Sequence, residues 1–199
     1  MKVIMATNNM DKVREIRQML EGSDIDIIPL NEAGIDVRID ETGTTFEENA
    51  AIKACTVRDL SGQITIADDS GLEIDFFDGA PGIYSSRFMG EDTSYDVKNA
   101  AILEKMKDVP DEERGARFVC AMVIAYPDGH EETFKGIFEG RIAYEIKGKE
   151  GFGYDPVFYL PDRGCTSAQL SPEEKNAVSH RGQALRKVIE ALKSYNQDH

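Results

Sequence analysis

The sequence predicts an α/β fold around a mixed β-sheet, and three observations carry that prediction. Short apolar runs rich in β-branched residues alternate with segments of helical periodicity, in the order strand, polar loop, helix. Phe118 to Tyr126 is almost continuously apolar, as a strand buried on both faces must be. Pro127-Asp128-Gly129 then turns the chain into segments patterned as antiparallel strands, which mixes the sheet. With 199 residues and 41% hydrophobic content the chain can bury a full core, as one domain of two lobes with no linker between them.

Val3 to Ala6 reads as the first strand, breaking into Thr7-Asn8-Asn9 before Val13, Ile16 and Leu20 recur at helical spacing. Ile25 to Ile28 is the next strand. A second helix is expected after Thr44-Thr45, with Phe46, Ala50, Ala54 and Val57 on one face. Ile64 to Ala67 reads as a strand ending at Asp68-Asp69-Ser70-Gly71, with Leu72 to Phe76 extended beyond that kink. A third helix is placed over Tyr95 to Lys107, and antiparallel strands around Thr133 to Phe138 and Arg141 to Ile146. Ser171-Pro172-Glu173-Glu174 has the form of a capping box, and Leu185, Val188, Ile189 and Leu192 give the last helix a core-facing stripe.

A formal net charge of −14 argues against broad binding to nucleic acid polymers or anionic membranes, so a polyanionic ligand has to be met locally. No apolar run is long enough for a membrane span and no signal-peptide core follows Met1, which gives the expectation of a cytoplasmic protein. Cys55, Cys120 and Cys165 lack metal-ligand spacing and read as reduced thiols, mostly buried.

Several segments carry groups suited to chemistry. Gly151-Phe152-Gly153-Tyr154-Asp155-Pro156 places two aromatic faces and a carboxylate on a glycine-flanked backbone, either a clamp for a planar ligand or a Gly-rich turn before a solvated basic helix end. Lys175, His180 and Arg181 are donors for phosphate or carbonyl oxygens near an expected helix start at Ser179. Thr7-Asn8-Asn9-Met10-Asp11-Lys12 sits between a strand end and a helix start, either as a phosphate-binding loop or as a helix cap. It is not a P-loop, for no Gly-x-x-x-x-Gly-Lys-Ser/Thr occurs in the chain. Asn49 and Lys53 lie one turn apart, so Lys53 either snorkels beside the apolar stripe or reaches a phosphate. The adjacent carboxylates Asp68 and Asp69 suit a Mg²⁺ site, the competing reading being a turn in which Gly71 supplies a positive φ. On an extended chain the two would point to opposite sides and do different work.

Taken in order, Thr7-Asn8-Asn9 to Lys12, Glu41-Thr42-Gly43, Phe46-x-Glu48-Asn49-Ala50, Ala67 to Leu72, Pro81-Gly82-Ile83-Tyr84-Ser85-x-Arg87, Gly151 to Pro156 and Ser179-His180-Arg181-Gly182 resemble the inosine/xanthosine triphosphate pyrophosphatase family over nearly the whole chain. The resemblance implies an elongated two-lobed α/β fold around a long mixed β-sheet with a central substrate cleft, and a homodimer. It implies a Mg²⁺-dependent hydrolysis of non-standard purine nucleoside triphosphates (ITP, dITP, XTP) to the monophosphate and pyrophosphate. Carried onto matching positions, Thr7, Asn8, Asn9, Met10, Asp11 and Lys12 would bind the phosphates, with Lys53 a further candidate from its own place on the helix face. Asp69 would be the proton acceptor and, with Glu41, a metal ligand, while Ser70 touches substrate. Phe152, Gly153, Tyr154, Asp155, Lys175, His180 and Arg181 match the remaining nucleotide contacts. Asp68 or a neighbouring Glu shares the candidacy for general base, because a metal-bound carboxylate is a poor one.

Two positions depart from that family's pattern: Lys149-Glu150 stands where many relatives have a small residue before the glycine, and Ser86 where Ala is frequent. Neither removes a group the reaction needs. The 6-oxo group of inosine and xanthosine is an acceptor where adenosine has a donor, so a pocket lined by donors such as Arg181 would select for it. A nucleotide sensor without turnover, a septum-inhibitor-like pyrophosphatase and a structural module are the competing readings; Glu41, Asp68 and Asp69 count against the first, and the His180-Arg181 pair against the second. So many polar groups at strand ends count against the third.

Overall fold

A computed structural model describes residues 1–198. It contains seven strands in one sheet: β1 (Lys2–Met5), β2 (Asp26–Pro29), β3 (Thr65–Ile74), β4 (Gly115–Ala125), β5 (Glu131–Ile142), β6 (Phe158–Leu160) and β7 (Cys165–Thr166), in the spatial order β2-β1-β3-β4-β5-β6-β7. Pairing of β1 with β2 and with β3 is parallel, and of β6 with β5 and with β7 antiparallel, so the sheet is mixed as expected. Five helices accompany it: α1 (Met10–Met19), α2 (Phe46–Ser61), α3 (Tyr95–Lys105), α4 (Pro172–Val178) and α5 (His180–Asp198). Among the described residues no helix is long and apolar enough to cross a membrane.

The chain divides into two compact units. The first comprises Met1–Asp69, Cys120–Gly136 and the described residues from Arg181 onward. Its core joins Val3 and Met5 of β1, Val13 and Ile16 of α1, Ile66 of β3, Met122 and Ile124 of β4, and Leu185, Val188 and Leu192 of α5. The 3.6-residue stripes of α1 and α5 thus supply the apolar faces that cover this part of the sheet. Ile189 is only partly buried at its border.

The second unit comprises Ser70–Val119 and Ile137–His180. Leu72 and Ile74 of β3, Ile102 and Met106 of α3 and its cap, Phe118 of β4, and Val157, Phe158 and Leu160 around β6 form its core. Arg114, 1% exposed, is buried here without a carboxylate at its guanidinium; it donates instead to the carbonyls of Met106, Val109, Ile142 and Ala143.

Three expectations need correction. Asp68-Asp69-Ser70-Gly71 does not end a strand: β3 runs unbroken from Thr65 to Ile74, Gly71 takes no positive φ, and the extended stretch stops at Ile74, where Asp75–Phe77 forms a 3₁₀ turn. Cations meet both carboxylates, so the strand tolerates them. The two antiparallel strands expected around 133–138 and 141–146 are one strand, β5, ending at Ile142. Gly140 lies within that strand, where a Cβ would meet the Tyr159 carbonyl at 2.6 Å and the Phe158 ring at 2.7 Å. Finally, of the three cysteines only Cys120 is buried; Cys55 and Cys165 are half-buried.

Candidate active site

In the first unit a charged cluster is assembled on β3. Asp68 and Asp69 are 2% and 6% exposed, and each has its own partners, as alternation along a strand requires. Asp68 accepts from Lys12 of α1 at 2.9 Å and from Arg181 of α5 at 3.3 Å. Asp69 accepts from Asn49 at 3.2 Å and from Lys53 at 3.5 Å, both on α2. Lys53 also donates to Glu41 at 2.5 Å, and Arg181 to Glu15 at 2.5 Å.

Local structure explains each placement. Thr45 caps α2 by accepting from the Glu48 N–H at 3.1 Å, and Glu48 reaches back to the Thr44 N–H at 2.6 Å. That start sets Asn49 and Lys53 on one face one turn apart. The Asn49 amide is oriented by its oxygen, which accepts from the Gly43 N–H at 2.8 Å and leaves the nitrogen for Asp69. Gly43 is required by this approach, since a Cβ would lie 2.7 Å from the Asn49 oxygen.

The electrostatics follow from burial set against these partners. Burial would raise the Asp68 carboxyl, but Lys12, Arg181 and Lys53 outweigh it and hold the group well below the usual carboxylate range. For Asp69, burial prevails, with Glu41 adding to it and Lys53 opposing, so its carboxyl lies above its ordinary value. Burial works against the charges of Lys53 and Arg181, yet the surrounding carboxylates hold both above their ordinary values. Four carboxylates (Glu15, Glu41, Asp68, Asp69) stand against three cations (Lys12, Lys53, Arg181).

The Thr7 to Lys12 segment caps its own helix. Asn9 accepts from the Asp11 and Lys12 N–H groups at 3.0 and 3.3 Å, and Thr7 from the Asn9 N–H at 3.1 Å. Asn8, Asn9 and Met10 are exposed, and Asp11 pairs with Arg14 at 2.6 Å, leaving Lys12 as the member that reaches the buried carboxylates.

The second unit holds the other predicted residues. Asp155, 2% exposed, accepts on one oxygen from the Phe152 N–H at 2.9 Å and from Lys175 at 2.7 Å. The Lys175 ammonium also lies 5.1 Å from the centre of the Phe152 ring, within cation–π range. Gly151 and Gly153 have φ of +72° and +69°, conformations that place Phe152 between two left-handed residues. Tyr154 is buried and serves the loop rather than offering an open face: its hydroxyl donates to the Ser85 carbonyl at 2.7 Å. His180, 5% exposed, is stacked on Phe118 at 4.9 Å, and Ser70 is half-buried on β3.

The structure therefore groups Lys12, Glu41, Lys53, Asp69 and Arg181 in the first unit, and Phe152, Asp155 and Lys175 in the second. Asn49 and Glu15 join the first group although sequence reasoning assigned them no role. Asn49 was visible as the residue one turn before Lys53, whereas nothing in the sequence ties Glu15 to Arg181, 166 residues away.

The donor set at Glu41 and Asp69 consists of hard carboxylate oxygens converging on one ammonium, and it fits Mg²⁺, which takes one or two carboxylates and completes its shell with water and phosphate. Among the described residues no group of three or more His, Cys, Asp or Glu side chains is placed to hold a metal.

The Ham1 family model matches residues 3–191. A dITP/XTP pyrophosphatase of Exiguobacterium sibiricum is 48% identical over 98% of both chains, and one of Escherichia coli K12 is 45% identical over 97% of this chain and 98% of the other. Among solved structures, the Staphylococcus aureus Ham1 protein superposes with a TM-score of 0.87 at 37% identity, covering 98% of this chain and all of that one. A Coxiella burnetii HAM1 protein gives 0.87 at 39% identity, over 98% and 99%.

Proposed function

The chain belongs to the Ham1 family, and from that membership and the charged cluster on β3 we propose that it hydrolyses the non-standard purine nucleoside triphosphates ITP, dITP and XTP. The products are the monophosphate and pyrophosphate, from cleavage between the α and β phosphates. The protein acts in the cytoplasm as a homodimer and needs Mg²⁺. The observation that carries the reading is the pair of adjacent buried carboxylates on β3, ringed by Lys12, Lys53 and Arg181. A binding module has no use for two such carboxylates beside a polyanion; a hydrolase needs one to take a proton and others to hold a cation.

Asp69 is the proton acceptor for the attacking water. Of the two carboxylates it is the less engaged, with partners at 3.2 and 3.5 Å against 2.9 and 3.3 Å for Asp68. Asp68, doubly paired and strongly acidic, holds Lys12 and Arg181 in place instead. Lys12 and Lys53 neutralise phosphate charge from positions fixed before substrate arrives, which is the preorganisation that phosphoryl chemistry rewards. Glu41 and Asp69 would hold Mg²⁺, which when bound spreads the charge of the phosphate oxygens and leaving pyrophosphate. In the second unit Phe152 offers its face to the base, with Lys175 as a nearby donor for an oxo edge.

The test is a panel of nucleoside triphosphates incubated with Mg²⁺ and the products separated by ion exchange. ITP and XTP should yield monophosphate and pyrophosphate well ahead of ATP. Release of diphosphate and inorganic phosphate, or equal turnover of ATP, would overturn the proposal.

A further inference from the structure

Resting on that reading, in which Phe152 and its neighbours receive the base, we propose that Asn99 and Lys98 of α3 are positioning residues that set the geometry of the base-binding loop and thereby its selectivity. The loop Gly151-Phe152-Gly153 has two left-handed residues in three, so it follows no regular path and its shape has to be imposed by neighbours. Asp155 grips it at the Phe152 N–H. The second grip comes from α3, where the Asn99 side-chain amide donates to the Gly153 carbonyl at 3.0 Å.

Asn99 belongs to a single helix face. Tyr95, Lys98, Asn99 and Ile102 fall on it by their spacing, and Ile102, fully buried, anchors that face in the core. The Tyr95 ring meets the Tyr154 ring edge-on at 5.1 Å. Lys98, 1% exposed, donates to the Ser86 carbonyl at 2.6 Å, and its ammonium lies 4.8 Å from the Tyr95 ring centre. The circuit closes through Tyr154, whose hydroxyl donates to the carbonyl of the adjacent Ser85. One helix face therefore fixes both the 151–155 loop and the 81–87 segment.

Stability by itself does not account for these residue types. The Asn99 side-chain oxygen is buried and has no hydrogen-bond partner among the described residues, a feature that costs folding energy. A buried lysine is costlier still than the apolar residue its position would accept. What the two polar side chains supply, and a leucine cannot, is a donor aimed at a defined backbone carbonyl in each of two loops.

Asn99→Asp tests this with almost no change of shape, replacing the donor by a second acceptor against the Gly153 carbonyl. Expected is a KM for ITP raised about tenfold, equivalent to 1.4 kcal/mol, with kcat within about threefold of wild type. Competitive inhibition by inosine, which reads base recognition alone, should weaken by the same factor, while inhibition by tripolyphosphate, which reads phosphate binding alone, should hold within about twofold. Asn99→Ser, too short to span the bond, should give the same pattern and covers the case in which the Asp variant does not fold. Lys98→Met, which keeps the apolar stem, should lower the ITP-to-ATP ratio of kcat/KM. Equal losses with inosine and tripolyphosphate, or an unchanged KM in a folded Asn99 variant, would overturn the proposal. A wild-type protein that releases no pyrophosphate from ITP would instead overturn the assigned activity, and the wild-type assay shows this before any variant is made.

Discussion

Replacing Asp69 by Asn separates a catalytic carboxylate from a structural one, because the two roles predict opposite costs. The amide is isosteric and its oxygen can keep the 3.2 Å contact with Asn49, which turns its NH2 toward Lys53 at 3.5 Å, so the charge and one acceptor for that ammonium are lost together. Glu41 still neutralises Lys53 at 2.5 Å, so no lysine is stranded. Asp69 is 6% exposed and shares one ammonium with Glu41, so removing its charge relieves desolvation and repulsion together. The melting temperature should stay level or rise. Activity should move the other way, for a lost general base costs roughly 10²–10⁴-fold, or about 2.7–5.4 kcal/mol of barrier. Pyrophosphate release from ITP at saturating Mg²⁺, read beside thermal unfolding, measures both. A kcat within about threefold of wild type, or a large fall in melting temperature accompanying the lost activity, would refute the assignment.

Chelation with EDTA should abolish turnover and added Mg²⁺ restore it, since Glu41 and Asp69 would otherwise confront the phosphates with their own negative charge; full activity without metal refutes this. Arg181→Met should destabilise the protein by about 3–5 kcal/mol in urea unfolding, because it removes the shared partner of Glu15 and Asp68 from a site where the arginine is 3% exposed. A loss below about 1 kcal/mol would show the network to be dispensable for folding. Arg114→Met should cost a comparable amount, about 3 kcal/mol or more, as four carbonyl acceptors lose one donor, and ITP turnover at 25 °C should persist in whatever fraction stays folded.

Those features of the fold that repeat along the chain were legible in the sequence. Thr45 before Phe46 and the Ser171 to Glu174 box announced α2 and α4, and the structure shows both caps bonded. Apolar stripes announced α1 and α5 for the same reason: one face of each has to be buried. Strands β6 and β7, three and two residues long, have no period to read, and their existence depends on partners supplied by β5 and by each other. The site divides likewise. Its motifs were visible as residue types out of place, such as two carboxylates in an apolar strand and an aromatic between glycines. Who meets whom was not, because Arg181 with Glu15 and Asn99 with Gly153 are joined only by the fold. The Asp68-Asp69 motif shows the boundary: two carboxylates in an apolar run stand out in the sequence, but they do not end the strand, because the cations that make them tolerable in mid-strand lie elsewhere in the sequence.

A chain with net charge −14 that handles a polyanion needs positive charge that does not act at a distance, and the first unit supplies it in a specific form. None of the three cations in its cluster is presented bare: Lys12 rests on Asp68, Lys53 on Glu41 and Asp69, and Arg181 on Asp68 and Glu15. Such pairing keeps Lys53 protonated despite burial, so its charge is available at any physiological pH. With four carboxylates against three cations the cluster also presents no net positive field at a distance, which denies nucleic acid polymers and anionic surfaces the long-range attraction on which non-specific binding depends. A triphosphate has to enter and compete with carboxylates at close range, and only a ligand with several phosphate oxygens can engage more than one cation at once. Selection for a short polyphosphate is therefore built into the pairing itself, before any contact with the base.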